Sequence, residues 1–173
     1  DCIGACAGGR GSRIRATRNE LNGEQIDIVP WSDSPEILIT NALAPAEISR
    51  VIIDEVNHAM EVVVPDDSLS IAIGKQGQNV RLASRLTGWH LDVISETRYN
   101  EGLQSGFQSL MNLSGVHEAL ANLLFEKGYF STEDLSKAAA EDLVQEIGVT
   151  EDEARSLIEE AASDLEPNEK PQD

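Results

Sequence analysis

Apolar and polar positions change their period along this chain, and the changes mark its elements. Ser34 to Leu43 reads as a helix, closed by Pro45. Ser49–Glu55 and His58–Pro65 are apolar-rich and read as two strands, joined as a hairpin around Val56-Asn57. Asp67 or Ser68 then starts a short helix through Ile71, Ala72 and Ile73, with Asp66-Asp67 as its caps. A glycine loop follows, then a helix over Gln78–Thr87 and a strand over Trp89–Ser95. Val80, Ala83 and Leu86, with Leu82, make the stripe of that last helix expected to be buried. The order helix–strand–strand–helix–loop–helix–strand predicts an α+β sandwich, three strands covered on one face by three helices.

The second half of this pattern occurs earlier in the chain as well. Gly8-Gly9-Arg10-Gly11 leads into a helix from Ser12 to Asn22, then Gly23, then an alternating strand to Val29. Gly74-Lys75-Gln76-Gly77 leads into Gln78–Thr87, Gly88 and the strand to Ile94. Gly8/Gly74, Gly11/Gly77 and Arg15/Arg81 correspond at an offset of 66, and Gly23/Gly88 and Asp27/Asp92 at 65. In the first copy Ile14, Thr17 and Leu21 take the place of the buried stripe. One Gly-x-x-Gly is weak evidence, since roughly one such pair is expected by chance in a chain of this glycine content. Duplication in matched context makes it strong.

A second duplication lies beyond a short linker expected at 98–106, which contains Gly102 and Gly106. At an offset of 33, Gly115-Val116 matches Gly148-Val149, and Glu118, Ala121 and Leu124 match Glu151, Ala154 and Leu157. Each copy is a short apolar helix, a tight glycine turn and a longer helix. Thr150-Glu151-Asp152-Glu153 forms a capping box, Ser131-Thr132-Glu133-Asp134 opens the connecting helix, and Gly128 stops the longer helix of the first copy. The expected organisation is the back half of a domain at 1–31, a whole domain at 32–97, the linker at 98–106, a five-helix unit at 107–165 and a disordered tail at 166–173. Residue 1 falls inside a pattern, which suggests a piece of a longer protein.

Composition adds charge. The 173 residues carry a formal net charge of −18, with 40% hydrophobic and only 4% aromatic residues. That charge speaks against nucleic acid until it is mapped. Residues 8–18 hold Arg10, Arg13, Arg15 and Arg18 and no acid; residues 74–85 hold Lys75, Arg81 and Arg85 and no acid. Both cationic spots coincide with a glycine loop, an electrostatic footprint for a polyanion. Residues 98–173 hold 17 acids against 5 bases. No apolar run approaches the roughly 20 residues of a membrane span. Cys2 and Cys6 lack the further ligands of a zinc site, and read as small buried residues in a reducing compartment. A cytoplasmic protein is expected, with no cofactor and no metal.

The chemistry of the loops follows from their backbone. Glycines let the chain approach a ligand closely, and the amides opening the next helix lack internal partners and face a positive dipole end, which suits phosphate. An apolar groove behind the loop accepts unstacked bases, hence a single strand and not a duplex.

Three phrases carry a more specific resemblance: Gly8 to Arg13, Asn41 to Glu47, and Val64 to Ala83. Together they resemble the tandem K-homology (KH) region of the bacterial NusA family of transcription termination and antitermination factors, across nearly all of residues 1–97. The fold implied is two KH domains of the bacterial type, the first truncated. Residues 107–165 look like the acidic helix-hairpin-helix repeat that follows the KH pair in some members. The resemblance implies RNA contact by Gly8, Gly9, Arg10, Gly11, Ser12 and Arg13, and by Gly74, Lys75, Gln76, Gly77, Gln78, Asn79 and Arg81. It also implies that the two KH units form one RNA-binding surface. Gln76 stands where a second basic residue is usual, which implies weaker binding by the second loop.

The implied function is single-stranded RNA binding within a non-enzymatic, monomeric factor that acts with RNA polymerase. Two other readings stay open: a protein-binding adaptor whose acidic unit docks a partner, and an RNA-binding appendage of an RNA-processing enzyme. For the acidic unit, DNA binding by the hairpin turns, a spacer role, protein docking and masking of the KH surface are the alternatives. Glu151, Asp152 and Glu153 speak against DNA. His58, His90 and His117 pair with no nucleophile motif, His90 reads as a surface strand residue, and Trp31 and Trp89 read as packing residues.

Overall fold

The computed structural model describes residues 2–165, so the tail expected at 166–173 lies outside the described residues. The chain divides into two units, residues 1–97 and 98–173.

In the first unit, helix α1 (Cys2–Ala7), a 3-10 turn (Gly9–Gly11) and helix α2 (Ser12–Glu20) come first. They are followed by α3 (Pro35–Leu43), β1 (Arg50–Asp54), β2 (Ala59–Val64), α4 (Leu69–Ile73), a second 3-10 turn (Lys75–Gly77), α5 (Gln78–Thr87) and β3 (His90–Ser95). The sheet order is β1-β2-β3, β1 antiparallel and β3 parallel to β2, with Val62 opposite both Val51 and Val93. Met60, Val62 and Val64 alternate onto one face of the central strand and bury there with Ile39 and Leu43 of α3, Ala72 of α4, Ala83 of α5 and Leu91 of β3. The expected three strands beneath three helices are therefore present.

Several expectations fail for physical reasons. No strand forms over residues 23–29, because a ladder needs a partner and none among the described residues pairs with this segment. Ile14 is half-buried but Leu21 and Thr17 are exposed, and so are Cys2 and Cys6: α1 packs mainly on its loop and α2, with no sheet beneath. Val80 and Ala83 face the core, whereas Leu82 and Leu86 are about half exposed. Trp31 is 71% exposed, its indole donating to Asp33, while Trp89 stacks on the His58 ring at 3.9 Å. Asp66 does not cap α4; it accepts from Thr97 at 2.9 Å. That bond first and one from Ser95 second hold its carboxyl below the usual range.

The second unit holds two helix–turn–helix copies, but in the first the expected lengths are reversed, with a 16-residue helix before Gly115 and a 9-residue helix after it. Helix α6 (Glu96–Met111) enters it, so the residues expected as a linker are helical. Gly106 is a packing glycine rather than a hinge: a Cβ there would lie 2.2 Å from the carbonyl oxygen of Phe130. Then come α7 (Glu118–Glu126), α8 (Thr132–Ser136), α9 (Ala140–Ile147) and α10 (Glu151–Leu165). Leu110, Leu113, Val116, Leu124, Leu135, Leu143 and Leu157 form one core with the small Ala121, Ala154 and Ala161. Phe107, Phe125 and Phe130 meet edge to face at its margin. The capping box is closed, with the Thr150 amide donating to Glu153 Oε2 at 2.8 Å and the Glu153 amide to Thr150 Oγ1 at 3.3 Å. Gly128 and Gly148 turn the chain at positive φ after α7 and α9.

Candidate nucleic-acid interface

The two glycine loops have the same backbone. In the first, Gly8 has φ 76° and ψ 169°, Arg10 φ 54° and ψ 27°, and Gly11 φ 74° and ψ 24°. In the second, Gly74 has φ 72° and ψ 175°, Gln76 φ 55° and ψ 31°, and Gly77 φ 72° and ψ 20°. Arg10 and Gln76 are non-glycine residues in the left-handed region, a strained conformation that recurs at ligand sites. Internal bonds also repeat. The amides of Gly8 and Gly74 donate to Gly4 and Ser70, and those of Gly11 and Gly77 to Gly8 and Gly74. Among the described residues, the amides between them, those of Gly9 and Arg10 and of Lys75 and Gln76, have no acceptor and remain available to a ligand.

Around the second loop, Gln78, Arg81, Leu82 and Arg85 recur at i, i+3, i+4 and i+7 and so share one face of α5. With Lys75 and Gln76 they line a concavity of about 270 Å³. Leu82 contributes apolar surface to it. Arg85 and Leu82 were not among the expected contacts; their spacing from Gln78 was the available signal. Arg81 donates to the Gln76 carbonyl at 3.2 Å, holding its guanidinium over the loop.

None of Arg10, Arg13, Arg15, Arg18, Lys75, Arg81 or Arg85 forms an ion pair with a described residue. The ion pairs Lys137–Glu133 and Arg155–Glu151 belong to the second unit. Both loops are surface features: Arg10, Lys75, Gln76 and Gln78 are exposed. Ser12 is exposed at the start of α2. Besides Arg81, two more expected contacts are engaged with carbonyls of the chain, both across the loop in the preceding helix: Arg13 donates to the Ala5 carbonyl at 2.7 Å, and Asn79 to that of Ile71 at 2.8 Å.

The hairpin turns of the second unit differ from these loops. Ser114, beside Gly115, gives its amide to Glu160 at 2.9 Å and its hydroxyl to the same oxygen. After Gly148, Glu153 takes the Thr150 amide and hydroxyl. These bonds lower the Glu160 and Glu153 pKa values, the Ser114 hydroxyl weighing most in the first and the Thr150 amide in the second. Carboxylates of the chain itself thus occupy donors that a phosphate backbone would need. Among the described residues no group of three His, Cys, Asp or Glu side chains is placed to hold a metal, and no helix is long and apolar enough to cross a membrane.

Comparison with known proteins matches each segment. The NusA-like first KH domain matches residues 1–31, the NusA-like second KH domain residues 35–101, and the SAM-like helix-hairpin-helix tandem residues 107–163. The transcription termination/antitermination proteins NusA of Rickettsia prowazekii (strain Madrid E) and Rickettsia conorii (strain ATCC VR-613 / Malish 7) are each 43% identical over 159 residues, covering 88% of this chain and 32% of the relative. The chain therefore spans about a third of the length of these relatives. A solved structure, the crystal structure of APE1850, aligns at 31% identity and a TM-score of 0.42, covering 52% of this chain and 68% of that one.

Proposed function

We propose, from the premise that this chain belongs to the NusA family, that it binds single-stranded RNA through its two glycine loops and does so as part of a transcription termination/antitermination factor acting with RNA polymerase. The observation that carries the reading is the repeated loop itself: one strained backbone, used twice, with free amides beside cationic groups that no carboxylate of the described chain neutralises. Phosphates sit on the amides of Gly9, Arg10, Lys75 and Gln76, with Arg10 and Lys75 supplying charge and Ser12 and Gln78 further donors. Bases leave the stack to lie along α5, where Leu82 offers apolar contact and Arg81 and Arg85 flank it. The role is binding, without catalysis, in the cytoplasm.

A second reading, protein docking by the acidic unit, rests on the Ser114–Glu160 and Thr150–Glu153 bonds, which close its hairpin turns to phosphate. Under it the second unit captures a protein partner such as RNA polymerase, while RNA stays with the first.

The test is a titration of fluorescent single-stranded RNA against the paired substitutions Lys75→Asp and Gln76→Asp, combined with Gly9→Asp and Arg10→Asp. Binding is expected to fall at least a hundredfold with the far-UV circular dichroism unchanged, because repulsion replaces attraction at both sites. Unchanged affinity in the folded quadruple variant contradicts the loops as the RNA site.

A further inference from the structure

We propose that Arg13 and Asn79 are positioning residues, latches that hold each glycine loop in its RNA-ready backbone, and not contacts to the RNA. This inference rests on the RNA reading above for its functional meaning, though its geometry stands apart from it.

The two side chains occupy equivalent positions, 66 residues apart, each the second residue of the helix after its loop. Each reaches back across the turn to the helix before it. Arg13 Nη1 donates to the Ala5 carbonyl at 2.7 Å, and Asn79 Nδ2 to the Ile71 carbonyl at 2.8 Å. Ala5 and Ile71 also correspond at 66. These carbonyls lie in the last turns of α1 and α4, where a helix leaves its acceptors unsatisfied. An arginine and an asparagine share little chemistry beyond an N–H donor. That both make one bond, to equivalent carbonyls across matching loops, identifies the bond as the common requirement.

The glycines fit the same picture. A Cβ built on Gly74 would lie 2.6 Å from Asn79 Cγ, and one on Gly8 would lie 2.8 Å from Arg13 Cγ. The first glycine of each motif thus leaves room for the latch, besides taking a positive φ. Arg10 and Gln76 hold left-handed conformations that persist only where the surroundings fix them. The latch ties the two helices that flank the strained turn and supplies such a constraint.

The duplication provides the test, since each copy holds the other's solution. Fluorescent single-stranded RNA is titrated at several salt concentrations against Arg13→Asn and Arg13→Ala, with the second loop silenced by Lys75→Asp and Gln76→Asp. A latch predicts that Arg13→Asn keeps the wild-type affinity within about twofold and the same salt slope, whereas Arg13→Ala weakens binding about fivefold, the worth of one hydrogen bond. A phosphate contact predicts instead that both variants lose affinity equally and that the slope shrinks by about 0.7, the share of one neutralised phosphate. That result overturns the proposal.

A second readout needs no RNA. Hydrogen exchange at the Gly77 amide, which closes the turn onto the Gly74 carbonyl, is measured in Asn79→Ala and Asn79→Arg. Faster exchange in the first and recovery in the second support the latch. Unchanged exchange in Asn79→Ala overturns it. If exchange behaves so but no version of the chain binds RNA, the latch stands and the RNA reading falls.

Discussion

Glu61 sits on β2 directly across the parallel pair from Asp92. Burial first, and the Asp92 carboxylate second, raise its pKa above the ordinary 4.5. The folded state therefore holds the Glu61 proton to higher pH than the unfolded chain, and ionisation of this group opposes folding. Glu61→Gln is expected to raise the melting temperature at neutral pH, and the gain should fade as pH falls below 4.5, where glutamic acid is neutral too. Melting curves across that range check it; an equal gain at every pH would contradict the electrostatic cause. At this scale the sequence revealed the loops but not the latches. Gly8, Gly11, Gly74 and Gly77 announce themselves by spacing and repetition. Whether Arg13 and Asn79 face a ligand or a carbonyl of the preceding helix depends on where that helix ends in space. No local pattern encodes that.

Among the elements, legibility follows whether a local pattern has a partner to pack against. The three strands and the helices α3, α4 and α5 lie within a residue or two of their expected spans, because period, turn residues and tertiary packing agree there. The alternating run after Gly23 is not a strand, since alternation describes a face and a strand requires a neighbour. Leu82 and Leu86 depart from expectation in the opposite sense: both belong to the apolar stripe of α5, yet both are about half exposed, and Leu82 lines the candidate RNA surface. Gly102 and Gly106 suggested a linker, yet α6 runs through both, and Gly106 allows the Phe130 carbonyl to approach. The capping box, by contrast, was fully legible, being local in sequence and in space. Thr150→Ala removes the hydroxyl that accepts from the Glu153 amide at the start of α10. It is expected to cost about 1 kcal/mol, measurable by urea denaturation, and Thr150→Ser should recover most of it. No loss in Thr150→Ala would show that packing of Ala154, Leu157 and Ala161 fixes the start of α10 without its cap.

For the whole molecule, a formal charge of −18 coexists with two clusters of cations that form no ion pair among the described residues. The acids concentrate in residues 98–173, so the average charge misdescribes the surface on which the loops lie. An acidic chain is repelled by a polyanion at long range, and only contacts within a Debye length of the loops attract it. Affinity for RNA should therefore depend steeply on ionic strength. If about five phosphates are neutralised, the slope of log K against log salt is about −3.5, so a fourfold rise in salt weakens binding about a hundredfold. Titration of a fluorescent single-stranded RNA at two salt concentrations, with duplex DNA alongside, measures this directly. That steep loss is expected for RNA, with far weaker binding of the duplex; salt-independent binding, or a duplex held as tightly as the single strand, would contradict RNA binding at the glycine loops.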